Sequence, residues 1–303
     1  MILLKYRALA VATAIFLASG AAEAKLNVVT SETNLRAIAA EVGGGFVYVD
    51  SVARGTQDPH YVEAKPSFMV KVSRADLVVA IGLELEIGWL PSILQGARNP
   101  KVMRGQPGFL EVGPLVTPLE VAIGKITRAE GDVHPDGNPH VTLDPIRAGE
   151  IGEKIAVRLG ELDTEHAASY QANAKALAKR LGDKAKAWQA RIEKSGVRQV
   201  ITYHKTLTYF LDRFHLENPA ILEPKPGIPP TSGHILGVVQ MIRAQKIPLV
   251  LVENYFDPTV TKRIQAEVPS VRSITVAVAV DGAPEIKTID DLYEGLVKAV
   301  EGK

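Results

Sequence analysis

The stretch Thr164–Ser195, TEHAASYQANAKALAKRLGDKAKAWQARIEKS, is the most helix-forming part of this 303-residue chain. It is rich in Ala, Lys, Arg and Glu, it contains no proline, and its apolar residues recur at helical spacing from Ala168 to Ile192. Thr164 is a suitable N-cap and Gly196 a suitable stop. At 1.5 Å per residue such a helix extends roughly 45–50 Å, longer than one small lobe requires. We therefore predict a rigid helix that links two lobes.

Before this helix, short apolar runs alternate with amphipathic segments. The predicted elements are, in order, strand Leu26–Thr30, helix Glu32–Val42, strand Phe46–Val52, helix Pro66–Arg74, strand Leu77–Ile81 and helix Ile87–Gln95. The stretch Gly105–Asn138 is rich in Gly and Pro and is predicted to be a loop. Asp144-Pro145 then opens a helix of about 16 residues. This alternation is typical of a parallel sheet with helices on its faces.

The same alternation continues after the linking helix. The predicted strands are Gln199–Tyr203, Pro219–Leu222, Leu249–Glu253 and Val271–Val276, and the predicted helices are Lys205–Phe214, Thr231–Gln245, Pro258–Glu267 and Thr288–Val300. The fold class is therefore α/β, with two βα lobes of mainly parallel sheets joined by one long α-helix. The expected divisions are an N-terminal lobe at 25–163, the linking helix at 164–195 and a C-terminal lobe at 196–303.

The first 24 residues are predicted to be a cleaved signal peptide. Lys5 and Arg7 precede the apolar run Ala8–Ala22, and Ala22-Glu23-Ala24 is a small-x-small cleavage site. The apolar part is too short to span a membrane. The mature chain is expected to start near Lys25 and to be exported.

The composition excludes several classes of partner. Removing Lys5, Arg7 and Glu23 from 35 basic and 34 acidic residues leaves 33 of each, so the mature chain has no net charge with which to attract nucleic acid. There is no cysteine, which excludes disulfides, thiolate metal ligands and a lipid-modified N-terminal cysteine. We expect a free, monomeric periplasmic protein.

Three histidines suggest a function for this exported chain. His60, His140 and His204 lie 80 and 64 residues apart, and each occurs where a predicted strand or loop passes into a helix. Such corners meet in the clefts of α/β proteins. Neutral imidazoles are good ligands for zinc and neighbouring transition metals. We predict that these three side chains converge on one metal ion.

Four motifs occur in an informative order along the chain. They are DPHYVEAKPS at 58–67, GLELEIGWL at 82–90, NPHVTLDP at 138–145 and ITYHKTLTYF at 201–210. With the signal peptide and the linking helix, they resemble the zinc/manganese substrate-binding proteins of bacterial ABC importers, the class with one long helix between the lobes. The resemblance covers essentially the whole mature chain.

The resemblance implies that the ion lies between the lobes. It assigns His60 and His140 as ligands from the N-terminal lobe, His204 as the first ligand from the C-terminal lobe, and Asp281 as a fourth, carboxylate ligand. The chain departs from the family pattern in two places: Asp281 is followed by Gly282 rather than proline, and Asn138 replaces the usual aspartate before His140.

Three imidazoles with one carboxylate form a tetrahedral site that suits Zn²⁺ and differs from the oxygen cages of Mg²⁺ or Ca²⁺. Manganese-binding relatives tend to carry a carboxylate at the third position, where this chain has His204. Divalent copper or nickel would also bind these nitrogens.

His134 is an accessory candidate in an acidic, Gly-rich loop. It is either a collector that passes metal inward or a solvated loop residue. His166, His215 and His234 fall at predicted helix ends and are not expected to be ligands. Glu84 either orients a ligand histidine or begins a helix, and Glu253 has the same two interpretations.

The prediction is a periplasmic binding protein that captures one Zn²⁺ and delivers it to an ABC permease, with a periplasmic metallochaperone as a candidate second partner. The alternatives are a manganese or iron importer subunit of the same fold, a secreted zinc hydrolase and an adhesin-like surface protein. A closed four-ligand site and the absence of His-Glu-x-x-His or Gly-x-Ser-x-Gly motifs disfavour an enzyme. The missing lipidation cysteine disfavours the adhesin.

Overall fold

The N-terminal lobe is built on a four-stranded parallel sheet. The computed structural model describes residues 25–124, 131, 133–225 and 227–303, so the predicted signal peptide lies outside the described residues. The strands are β1 (Leu26–Thr30), β2 (Val47–Ser51), β3 (Leu77–Ala80) and β4 (Phe109–Glu111), in the order β2-β1-β3-β4. The helices are α1 (Thr33–Gly43), α2 (Pro66–Ser73), α3 (Leu90–Ala97) and α4 (Pro145–Leu162).

Strand β4 was not predicted, because it is short and lies within the Gly- and Pro-rich stretch that the sequence assigned to a loop. The other elements of this lobe agree with the prediction to within a few residues. The apolar residues whose spacing predicted these elements are the residues that fill the core between the sheet and its helices.

The C-terminal lobe contains a three-stranded parallel sheet in the order β5-β6-β7. Its elements are β5 (Val200–Thr202), α6 (Thr208–Arg213), α7 (Ser232–Gln245), β6 (Leu249–Glu253), α8 (Thr259–Glu267), β7 (Arg272–Val276) and α9 (Ile289–Glu301), which follow the linking helix α5 (Ala167–Ser195).

The predicted strand Pro219–Leu222 is wrong. The structure records only an isolated bridge between Thr202 and Ile221, since Pro219 has no backbone N–H to donate to a ladder. The segment still runs beside β5, where Leu222 N donates to Thr202 O at 2.9 Å and Glu223 N donates to Tyr203 O at 3.1 Å. This path carries Glu223 to the end of β5.

The linking helix α5 spans 29 residues, or roughly 43 Å at 1.5 Å per residue. It ends as predicted at Gly196, whose φ of 76° suits a left-handed C-cap. It begins after His166 rather than at Thr164. The carboxylate of Asp163 accepts from the Tyr170 hydroxyl at 2.6 Å and pairs with the His166 ring at 2.8 Å, which fixes the entry to the helix.

Helix α5 packs against both lobes. Its buried side chains, from Tyr170 to Ile192, belong to one apolar core that includes residues of both lobes. The guanidinium of Arg180 bonds to Glu41 on α1 and to Asp290 on α9, so a single side chain joins the two lobes. No helix in the described part of the chain is both long enough and apolar enough to cross a membrane.

The start of α1 also bonds directly to the C-terminal lobe. Thr33 Oγ1 donates to Val280 O at 2.6 Å. Asn34 Nδ2 donates to Val278 O at 3.2 Å, and its Oδ1 accepts from Val280 N at 2.8 Å. These bonds hold the lobes together at the floor of the cleft.

We predict limited lobe movement when the cleft is occupied. Because α5, Arg180 and the start of α1 all connect the two lobes, the radius of gyration should be the same within error in metal-free and metal-loaded protein. Small-angle X-ray scattering on both states measures it. A clear compaction on loading would show that the lobes rotate like those of a hinged binding protein.

A second prediction concerns Glu32, which caps α1 by accepting from Asn34 N and Leu35 N. Burial, with a smaller contribution from Glu86, raises the pKa of Glu32 to about 7 despite the two backbone hydrogen bonds. Because the pKa of Glu32 is higher in the folded protein, its protonated form stabilises the fold. This contribution is complete below the pKa of the unfolded chain, near 4.5, and is lost as the pH rises to about 7.

Glutamine matches the uncharged form of Glu32. The free energy of unfolding of Glu32→Gln should therefore exceed that of wild type by about 1–3 kcal/mol at pH 8 and should be close to it at pH 4.5. Urea unfolding at the two pH values measures the difference. An equal effect at both values would mean that the ionisation of Glu32 is not responsible.

Candidate metal site

The three predicted histidines lie at the cleft edge of the two sheets. His60 follows β2 in a loop, His140 precedes a short turn that enters α4, and His204 lies two residues after the end of β5. Since the carboxyl ends of parallel strands open onto one edge of each sheet, both lobes present imidazoles to the same cleft.

The imidazole rings form a nearly equilateral triangle. Ring centroids are 5.2 Å apart for His60 and His140, 5.4 Å for His60 and His204, and 5.5 Å for His140 and His204. One nitrogen from each ring lies within 4.8 Å of the others. Among the described residues, this is the one group of three or more potential ligands at such spacing.

Carboxylates orient two of these rings. His60 Nδ1 is 2.8 Å from Asp58 Oδ1, and His204 Nδ1 is 2.7 Å from Glu223 Oε2. Burial alone would raise the pKa of Asp58, but hydrogen bonds from His60 outweigh it and leave the pKa below its usual value. The carboxylates accept from Nδ1–H, which leaves each Nε2 lone pair facing the cleft.

His140 is the most enclosed of the three. Its ring nitrogen Nε2 is buried without a hydrogen-bond partner. Burial, followed by the neighbouring rings of His60, His204 and His134, lowers the pKa of His140 well below its usual value. Its imidazole is therefore neutral near pH 7, and its buried lone pair would be satisfied by a cation.

His134 lies beside His60. The two Nε2 atoms are 3.3 Å apart, and His134 Nδ1 lies 2.8 Å from Leu83 O. A carbonyl can only accept, so Nδ1 of His134 carries the proton and its Nε2 presents a lone pair. Two nitrogens bound tetrahedrally at about 2.0–2.1 Å to one zinc ion would be about 3.3–3.4 Å apart. The spacing of His60 and His134 matches that value, while His134 lies outside the group of three whose nitrogens are all within 4.8 Å of one another.

The motif at 82–90 supports the site rather than supplying a ligand. Glu86 is buried and accepts from Ile81 N and Gly82 N at 2.8 and 3.0 Å. Trp89 Nε1 donates to Pro59 O at 2.9 Å, which fixes the loop that carries His60. Leu83, held at a φ of 52°, presents its carbonyl to His134.

The structure places Asp281 outside the group formed by His60, His140 and His204. Its side chain is 43% exposed and forms ion pairs with Arg36 at 2.5 Å and Lys287 at 3.1 Å. Val278 and Val280 alternate inward to the core, so Asp281 turns outward beyond them.

The sequence did not identify Asp58 and Glu223 as the groups that orient the ligand rings. Asp58 could have been found from its spacing, because it stands two residues before His60. Glu223 is remote in sequence from His204, and the only sequence feature that could have pointed to it is its position as an acidic residue at the end of an apolar run. Glu84 is exposed at a φ of 65° and is not positioned for this role.

Glu253 is fully buried at the end of β6. Burial raises its pKa to about 8, so it is a neutral acid near pH 7 and a poor metal ligand. The remaining histidines are not part of the group: His166 pairs with Asp163, and His234 bonds to a backbone carbonyl.

Comparisons with known proteins agree with this fold and cleft. The family model described as zinc-uptake complex component A, periplasmic, matches residues 28–300. A manganese ABC transporter substrate-binding lipoprotein, scaA of Streptococcus gordonii, is 24% identical over 272 residues, 88% of this chain and 84% of that protein. The iron-binding protein YfeA of Yersinia pestis is 25% identical over 248 residues, 80% of this chain and 74% of that protein.

The crystal structure of ZnuA superimposes with a TM-score of 0.76 at 21% identity, covering 92% of this chain and 98% of that one. This likeness confirms the predicted α/β fold with two lobes of parallel sheets. The named metals differ among the relatives, so the comparisons leave the metal open.

A prediction for Glu223 follows from its contact with His204. Glu223→Ala should weaken the affinity for a divalent metal about 10–100-fold, because His204 loses the acceptor that fixes its orientation and raises its basicity. Glu223→Gln, which keeps an acceptor but not the charge, should fall between this variant and wild type. Competition titration against a chromophoric chelator measures all three, and equal affinities would exclude an orienting role.

Proposed function

The chain belongs to the family of periplasmic zinc-uptake components, the substrate-binding proteins of ABC metal importers, and we propose that its cargo is Zn²⁺. Members of this family are not enzymes, and they pass a metal ion to a membrane permease that an ATPase drives. The proposal is that one Zn²⁺ is bound between the lobes by His60, His140 and His204, with His134 as the fourth donor.

The observation that carries this proposal is the convergence of imidazole lone pairs from both lobes. Asp58, Glu223 and the Leu83 carbonyl each engage an Nδ1 atom, so the Nε2 atoms face inward. An all-nitrogen donor set favours zinc over manganese, which prefers harder oxygen ligands. Copper and nickel also accept such a set, so selection against them depends on geometry and supply.

His134 replaces Asp281 as the proposed fourth ligand. The 3.3 Å approach of His134 to His60 supports this choice, as does the engagement of Asp281 with two cations. Bringing Asp281 to the histidines would require it to leave both Arg36 and Lys287.

The ligand assignment predicts opposite results for two variants. His134→Ala should lower zinc affinity at least about tenfold, whereas Asp281→Ala should leave it within about threefold of wild type. A triple variant with alanine at 60, 140 and 204 should no longer bind one equivalent of zinc. Calorimetry with chelator competition measures each, and the reverse order for His134 and Asp281 would restore the carboxylate ligand.

A manganese or iron importer subunit is the second candidate, because relatives are named for those metals. Protein exported by its native host and purified without added metal should contain zinc at close to one equivalent by mass spectrometry. Manganese or iron as the main metal, retained in competition with zinc, would favour the second candidate.

We further propose that the protein is periplasmic and monomeric and is not anchored by lipid, since the sequence contains no cysteine to modify. Relatives such as scaA are named as lipoproteins. A metallochaperone that loads the site stays a prediction.

A further inference from the structure

We propose that Asn138, Glu120 and Lys205 form a hydrogen-bonded cluster across the cleft that positions His134 for the metal. This inference rests on the proposed function, in which His134 is the fourth ligand. The three residues are not ligands themselves. They join the segment that carries His134 to the backbone beside His204.

Asn138 is the centre of the cluster and is only 6% exposed. Its Nδ2 donates to Glu120 Oε2 at 2.9 Å and to Lys205 O at 3.0 Å. The Lys205 ammonium completes the cluster by donating to Glu120 Oε1 at 2.8 Å. One amide group therefore connects a loop of the N-terminal lobe to the C-terminal lobe.

The cluster lies at the base of the segment that carries His134. Asn138 N donates to Leu119 O at 2.8 Å, and Ala122 N donates to Pro135 O at 3.1 Å. The Tyr209 hydroxyl donates to Asn138 O at 2.6 Å and accepts from Leu119 N at 2.9 Å. These bonds hold the residues on either side of the segment together, so they restrict the position of the backbone that carries His134.

The contacts require an amide at position 138. Aspartate has no N–H to donate, and its second oxygen would face the Glu120 carboxylate and the Lys205 carbonyl, both of which are acceptors. The other oxygen would still accept from His140 N, as Asn138 Oδ1 does at 3.0 Å. Asparagine at position 138 therefore makes two contacts that aspartate could not make.

The cluster also connects His134 to the opposite lobe. Lys205 follows His204 directly, so the Asn138–Lys205 bond ties the base of the His134 segment to the backbone beside His204. The base of the segment and the His204 ligand are thereby held in one arrangement. The expected consequence is slower zinc dissociation, because the fourth donor stays in place.

The test is a double-mutant cycle on zinc dissociation, measured by stopped-flow with an excess of chelator. Asn138→Asp should accelerate release about tenfold in the wild-type background, as expected for the loss of a buried hydrogen bond and its replacement by repulsion. In the His134→Ala background the same change should accelerate release less than about twofold.

Asn173→Asp is the matched control. Asn173 donates from Nδ2 to Val42 O on the far side of the N-terminal lobe, so this variant makes the same chemical change and also loses a hydrogen bond. It should release zinc at the wild-type rate. Lys205→Met removes only the ion pair with Glu120 and should have a smaller effect than Asn138→Asp.

Equal acceleration by Asn138→Asp in both backgrounds would overturn the inference, because Asn138 would then act on the site without His134. An unchanged rate in the wild-type background would overturn it as well. If the His134→Ala variant binds and releases zinc as wild type does, His134 is not a ligand, and the proposed fourth ligand is refuted. Circular dichroism and the urea midpoint of each variant identify any rate change that arises from unfolding.

Discussion

The site depends on one constraint: ring nitrogens from both lobes are held with their lone pairs facing a shared space. Each Nδ1 of His60, His204 and His134 is engaged by an acceptor, and His140 is buried and neutral. Lone pairs at this spacing repel each other unless a cation lies between them. The fold holds this unfavourable arrangement in place, because the residues that impose it belong to the core and to the cleft walls.

The lobes supply the stiffness that this arrangement needs. Helix α5 packs on an apolar core that runs through both lobes, and Arg180 bonds to α1 and α9 together. At the floor of the cleft, Asn34 exchanges hydrogen bonds with the backbone at 278–280. Ligands from separate lobes can therefore be positioned closely without a local cluster in the sequence.

The sequence predicted most of the fold because apolar periodicity and caps are local signals. Strand β4 and the segment at 219–222 were misassigned, since a three-residue strand has almost no periodicity and a bridge beside proline resembles a strand. The three main histidines were predictable from their motifs. The sequence could not show that His134 approaches His60 or that Asp281 pairs with Arg36 and Lys287, because contacts between loops remote in sequence are tertiary properties.

The orienting carboxylates have a consequence for the charge balance of the cleft. Asp58 and Glu223 each bring a carboxylate close behind an imidazole ring, so a doubly charged cation enters a pocket whose surroundings supply about two negative charges. The loaded protein is then locally electroneutral. The metal-free cleft keeps both negative charges, so a membrane partner would meet a different electrostatic surface with and without cargo.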